Sequence, residues 1–138
     1  MEESNADMEK ASKILAEKGL ASAEKRVGRA TENGVIESYI HTGGRIGSLV
    51  ELSCETDFVA RTEEFIKCAK EIAMQVAAMS PVSINKEDNE DYEDEQILEL
   101  QAYIRDSSKT VGEVVKELSA KVGENIVIKK IHRFEIGN

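Results

Sequence analysis

Between Gly34 and Pro81 the spacing of apolar residues changes once, from a period of two to one of about 3.6, and this switch restricts the fold more than any other feature. Val35, Ile36, Tyr39 and Ile40 surround polar Glu37 and Ser38, and after Thr42-Gly43-Gly44 a second β-rich run extends from Ile46 to Leu52. Two such runs separated by glycines read as a hairpin. Beyond Cys54 the spacing becomes helical: Phe65, Cys68, Ala69, Ile72, Ala73, Val76 and Ala77 share one face. Thr62 is placed to cap this helix, Glu63 and Glu64 suit its positive end, and Pro81, the sole proline, stops it.

From Glu87 to Glu95 nearly every residue is acidic; the run repels itself and has nothing to bury, so residues 85–96 are expected to form a surface insert. Ile97 to Ile104 alternates weakly. Thr110-x-x-Glu113 reads as a capping box for a helix carrying Val111, Val114, Val115, Leu118 and Val122, with Gly123 at its end. Ile126, Val127, Ile128, Ile131, Phe134 and Ile136 form a last strand able to pair with the hairpin. At the other end of the chain, Asn5 or Asp7 can cap a short helix bearing Met8, Ala11, Ile14 and Leu15, followed by a basic helical stretch from Leu20 to about Val27. The expected class is α+β: an antiparallel sheet of about three strands with helices on one face, plus an N-terminal helical segment. Residues 1–30 form that segment and 31–138 the main domain. Aromatic residues make up 4% of the chain and Trp is absent, so the core must be aliphatic. No repeat period is visible.

A net charge of −9 argues against nucleic acid or an anionic membrane surface as the partner and favours a protein. No run approaches the ~20 apolar residues that cross a bilayer; the longest, Ile72 to Met79, is interrupted by Gln75. The start Met1-Glu2-Glu3 lacks the features of a secretory signal. Cys54 and Cys68 do not have metal-ligand spacing and read as buried thiols. Gly43-Gly44-Arg45-Ile46-Gly47 lacks the strand-to-helix setting and the trailing Lys-Ser/Thr of a phosphate loop. His41 and His132 could face each other across paired strands, but no third ligand or nucleophile accompanies them. No cofactor, metal site or catalytic residue is expected.

The unusual stretch is Cys54-Glu55-Thr56-Asp57-Phe58-Val59-Ala60, where a strand ends and a helix begins. Thr56 and Asp57 are natural caps. Phe58 is open to two readings: it packs as a hydrophobic staple, or it points outward as an apolar wedge beside a charge.

This stretch resembles the signature of the elongation factor Ts family, Asn-Cys-Glu-Thr-Asp-Phe-Val-Ala after a strand of the form Gly-x-Leu-Val-Glu-x. Here the strand is Gly47-Ser48-Leu49-Val50-Glu51-Leu52, with Ser53 in place of Asn. The likeness continues through Ile72 to Pro81 and through Gly123-Glu124-Asn125-Ile126, Arg133-Phe134 and Gly137. It implies a guanine-nucleotide exchange factor that binds elongation factor Tu and expels GDP by contact. By the same resemblance Asp57 and Phe58, flanked by Thr56, Val59 and Ala60, enter the partner's nucleotide domain. Ile46 and Gly47 lie at the edge of that contact, and Gln75 sits in a helix that meets the partner.

The departures carry expectations of their own. Of the family's N-terminal ubiquitin-associated-like domain only the last helix, Asp7 to Lys18, has a counterpart, and the long helical hairpin that many members insert after the proline is replaced by the acidic segment. Gln75 stands where many members have His. His132 stands near where some short members have a cross-linking Cys, so a disulfide dimer through that site is not expected. The competing function is a docking module derived from a larger polyprotein, which binds factor Tu without releasing nucleotide. Free sheet edges leave a homodimer open. The expected compartment is bacterial cytoplasm or plastid stroma, with Lys18 to Lys25 resembling cyanobacterial and plastid members.

Overall fold

The computed structural model describes residues 26–86 and 91–137. The expected N-terminal helix and most of the basic stretch after it lie outside the described residues, as does the middle of the acidic insert. The described part is α+β, built from a three-stranded antiparallel sheet, a second small sheet and three helices.

Strands β1 (Asn33–Ile40) and β2 (Ile46–Cys54) form the hairpin, paired from Asn33 with Cys54 to Ile40 with Gly47. Its turn is closed by the His41 amide donating to the Ile46 carbonyl at 2.8 Å. Gly43 and Gly44 both have positive φ, 98° and 69°, which explains the residue type there. The last strand, β5 (Val127–Glu135), pairs with the other edge of β2, so the order is β1-β2-β5. Register runs from Ile46 opposite Glu135 to Ser53 opposite Val127, with an irregularity between Glu51 and Leu52. This order answers the histidine question. His132 lies opposite Leu49 on β2, while His41 is in the hairpin turn with Nδ1 3.0 Å from the Tyr39 hydroxyl, so a whole strand separates them.

Two helices follow β2. One is a single turn, α1 (Asp57–Ala60), and the other is the long α2 (Glu63–Met79). Thr62 caps α2 by accepting from the Phe65 amide, and Ser80 closes it in a left-handed conformation just before Pro81. Helix α2 lies across one sheet face. Ala69, Ala73 and Ala77, four residues apart, let its backbone approach β2 closely enough for the Ser48 hydroxyl to reach the Ala73 carbonyl. Phe65, Ile72 and Val76 fill the space against Val50 and Leu52.

After Pro81 the chain departs from the weak alternation expected over Ile97 to Ile104. Two 3₁₀ turns, Asp94–Gln96 and Leu98–Leu100, are followed by a two-residue strand β3 (Ala102–Tyr103), which pairs with β4 (Asp106–Thr110). The physical reason is consecutive burial. Ile97 and Leu98 are both fully enclosed, which an alternating strand on one sheet face does not allow. The acidic insert is tied at its neck, where the Val82 amide donates to the Gln96 carbonyl at 2.7 Å and the Leu98 amide to the Ser83 carbonyl at 2.8 Å. Helix α3 (Val111–Val122) starts at Thr110 and ends at Gly123, φ 75°. Half of the expected capping box forms: Thr110 Oγ accepts from the Glu113 amide, but the Glu113 carboxylate bonds the Thr110 hydroxyl rather than its backbone amide.

Candidate partner-binding site

The turn from β2 into α1 is fixed from below by burial. Val59 and Ala60 sit in the core together with Cys54, while Phe58, immediately before Val59, is 81% exposed. The staple reading of Phe58 therefore fails, because its ring packs on nothing that would remove it from solvent. The cause is the length of α1. Thr56 starts it, with its hydroxyl oxygen 3.3 Å from the Val59 amide, and Thr62 starts the next helix only six positions later. One turn cannot bring a side chain back over the preceding residue and also keep Val59 and Ala60 inside.

Asp57 is exposed and pairs with Arg61 at 2.8 Å in the i,i+4 arrangement. Asp57 and Phe58 thus present an acid and an aromatic ring side by side at a corner whose next two residues, Val59 and Ala60, are buried.

The loop ahead of α1 is bonded to the loop that follows α3. The Glu124 carboxylate accepts from the Glu55 amide (3.1 Å), the Thr56 amide (3.0 Å) and the Thr56 hydroxyl (2.7 Å). The Glu55 carboxylate accepts in return from the Asn125 amide at 2.6 Å and lies 3.8 Å from the Arg29 guanidinium. Sequence reasoning placed both acids in family-like stretches but gave neither a role and did not pair them, since no local pattern connects positions this far apart.

The remaining expected residues are placed elsewhere. Ile46 and Gly47 begin β2 and the corner follows its end; with ~3.3 Å per residue the two lie roughly 26 Å apart, so they do not form one patch with Phe58. Gly47 is buried on the face of the sheet away from α2, where an added Cβ would lie 2.8 Å from the Ile40 side chain. Gln75 is fully enclosed. Its Nε2 donates to Gln101 Oε1 (3.1 Å) and to the Ala102 carbonyl (3.0 Å), and its Oε1 accepts from the Ile104 amide (2.9 Å). It holds the β3–β4 hairpin onto α2, and a partner would reach it only by displacing that hairpin.

That outer sheet face is the other notable surface. Ile36 and Ile40 of β1, Leu49 of β2 and Phe134 of β5 all project from it and are exposed. A groove of about 570 Å³ crosses its hairpin end between Ile40, Leu49, Phe134 and Ile136. The signal was present in the sequence, because both alternating sets of β1 are apolar.

Neither thiol is poised for chemistry. Burial pushes the Cys68 thiol up to about 12, with Glu71 adding to it. Burial, then the Glu124 and Asp57 charges, raises Cys54. Tyr103 is raised by burial and by its hydrogen bond to Glu71. Among the described residues no group of His, Cys, Asp and Glu is arranged to hold a metal ion, and no helix is long and apolar enough to cross a membrane.

Comparison with known proteins gives a consistent result. The sequence model of the family described as Elongation factor TS matches residues 5–96 and 55–138. Elongation factor Ts of Caldanaerobacter subterraneus subsp. tengcongensis is 46% identical over 170 residues, spanning 98% of this chain and 84% of that protein. Elongation factor Ts of Thermoanaerobacter sp. (strain X514) is 45% identical over 98% of this chain and 83% of its own length. The Thermotoga maritima protein of the same name is 41% identical over 99% and 85%. These alignments are longer than the 138 residues here, so the relatives carry residues that this chain lacks, in keeping with a short form.

Proposed function

The chain belongs to the elongation factor Ts family, and from that premise we propose that it binds elongation factor Tu and promotes release of GDP by contact rather than by chemistry. One observation carries the reading: Phe58 is 81% exposed on a corner whose next two residues, Val59 and Ala60, are buried. An exposed aromatic ring on an immobile mount loses little freedom when a partner closes over it, which is how aromatic anchors come to dominate interfaces. Asp57 beside it supplies a charge that orients the approach. Thr56, Val59 and Ala60 serve as the mount, and Gln75 has a structural part, bracing the β3–β4 hairpin on α2.

The mechanism requires only differential binding. A protein that binds factor Tu more tightly without GDP than with it lowers the affinity for GDP by the same factor. No group needs to donate a proton or attack a bond. The test is stopped-flow release of a fluorescent GDP from purified factor Tu with increasing amounts of this protein. Saturable acceleration is expected; binding in a pull-down without acceleration would replace the reading by that of a docking module that does not exchange nucleotide.

The outer sheet face favours a second copy of the chain as a further partner. Ile36, Ile40, Leu49 and Phe134 form an apolar surface across all three strands, and a two-fold axis would set this face against itself. Sedimentation velocity checks this: a dimer that Phe134→Glu dissociates is expected, and a monomer at all concentrations would discard it. The named relatives are bacterial, which favours a bacterial over a plastid setting.

A further inference from the structure

A helix of one turn does not hold itself together, because nucleation costs more than its few hydrogen bonds return. The geometry of α1 (Asp57–Ala60) must therefore be imposed by its surroundings. Burial of Val59 and Ala60 fixes the lower side. On the upper side, the Glu124 carboxylate accepts both incoming amides, Glu55 and Thr56, and the Thr56 hydroxyl, while the Glu55 carbonyl accepts from Asn33 Nδ2 at 3.0 Å and the Thr56 carbonyl from the Cys54 thiol at 3.1 Å.

We infer that Glu124 is a positioning residue that holds the Asp57–Phe58 corner in the geometry a partner meets. The inference rests on the reading of that corner as the contact with factor Tu. A carboxylate only accepts hydrogen bonds. Glu124 Oε2 therefore obliges the Thr56 hydroxyl, 2.7 Å away, to donate to it, and this leaves the hydroxyl's lone pairs for the Val59 amide. Glu124 thus sets the polarity of the cap that begins α1. Its Oε1 accepts two successive amides, Glu55 and Thr56, at 3.1 and 3.0 Å, which fixes the orientation of the peptide planes immediately before the helix.

Glu124 is itself held in place. The Ser119 hydroxyl donates to its carbonyl at 2.6 Å, and Gly123 ends α3 in the left-handed conformation that turns the chain toward the corner. The next residue is clamped in the opposite sense: Glu55 Oε2 accepts from the Asn125 amide, and Asn125 Nδ2 donates to the Arg29 carbonyl at 2.9 Å. Each loop thus lends a carboxylate to the other's backbone. Without Glu124, Val59 and Ala60 still anchor the chain and the Thr56 and Asp57 carbonyls keep their partners, but the Glu55 and Thr56 amides and the Thr56 hydroxyl lose the acceptor that orients the start of α1. The partner must then order them on binding.

The experiment is release of fluorescent GDP from factor Tu by the full chain carrying E124A, E124Q, F58A and the double change F58A with E124A. E124A is expected to lower the maximal release rate roughly three- to tenfold, the cost of re-ordering one or two side chains. E124Q keeps an acceptor for both amides but sets a donor against the Thr56 hydroxyl, so it should restore only part of the rate. In the F58A background E124A should add less than about twofold, because a residue that acts through Phe58 has nothing left to position. An equal loss in both backgrounds would make Glu124 a direct contact and overturn the inference, as would an E124A rate equal to wild type.

If F58A itself releases GDP at the wild-type rate, the reading of the corner fails, and hydrogen exchange of the free protein decides the inference separately. E124A must then speed exchange at the amides of Glu55, Thr56 and Val59 to Arg61 while β2 and α2 stay protected. Unchanged exchange there, or loss of protection throughout, would refute it.

Discussion

Replacing Phe58 by Ala separates stability from function because the ring is 81% exposed in the free protein. Truncating an exposed side chain on a surface turn costs at most about 0.5 kcal/mol, and Ala is the better helix former, so the melting temperature should stay within a few degrees of wild type. The ring nevertheless has about four-fifths of its surface still to bury. Complete burial of a Phe is worth roughly 1.5–3 kcal/mol, so the part still available amounts to about 1.2–2.4 kcal/mol. At about 1.4 kcal/mol per decade, that is roughly a 7- to 50-fold loss in the ratio of maximal GDP-release rate to half-saturating concentration. The assay is stopped-flow fluorescence on factor Tu loaded with labelled GDP, run beside a thermal melt of each protein. A loss below about twofold with the fold intact would refute the assignment of the ring. A large drop in melting temperature would refute the claim that it packs on nothing in the free protein.

Three further outcomes follow from the packing. Gln75→Leu should lower stability by about 1–3 kcal/mol in urea unfolding, because it takes the partner from the buried Gln101 Oε1 and from the half-buried Ala102 carbonyl and Ile104 amide; GDP release per folded molecule should change less than about twofold. Gly34→Ala should cost at least about 2 kcal/mol in the same measurement, since φ is 152° and the new Cβ would sit 2.2 Å from the Leu52 carbonyl oxygen of the adjacent strand. Cys68 makes stability fall at alkaline pH. Its thiol, near 9.0 when unfolded, is pushed up to about 12 in the fold, so above pH 9 the folded state retains a proton that the unfolded state has released. Stability fully present below that point should then drop by about 1.4 kcal/mol per pH unit, and Cys68→Ala should remove that share of the slope.

What could be read from the sequence was local, and what could not depends on distant partners. The β1–β2 hairpin is marked by two glycines and a period of two, α2 by Thr62 and Pro81, and α3 by Thr110 and Gly123, each signal lying within a few residues of what it controls. That β5 pairs with the hairpin was visible in its composition. That it takes the β2 edge was not, and this edge is what keeps His41 and His132 apart. Gln75 stood out as one amide in an apolar run, but its partners lie more than 25 residues later, so nothing local distinguished a buried brace from a contact. Phe58 was closer to being decided. Two capping threonines six positions apart leave room for one helical turn only, and a turn that buries Val59 and Ala60 must turn the residue before them outward. The Glu55–Glu124 exchange had no local trace, because it joins two loops 69 positions apart.

The two proposed contacts use opposite ends of β2, and Ile46 and Gly47 lie at the end away from Phe58. Gly47 has an explanation within the fold: Ile40 lies over it on the outer face, where a Cβ would come within 2.8 Å, so any larger residue would push that side chain away. The same end of the hairpin, with Ile40, Phe134 and Ile136, lines the groove proposed to receive a second copy. Residues covered by a second copy are not available to factor Tu at the same time. If both proposals hold, a change such as Phe134→Glu should dissociate the dimer and leave GDP release per chain intact, whereas Phe58→Ala should leave the dimer intact and slow release. If Phe134→Glu slows release as strongly as Phe58→Ala, the hairpin end belongs to the factor Tu contact. The partner then spans the roughly 26 Å length of β2, and the outer face is not reserved for a second copy.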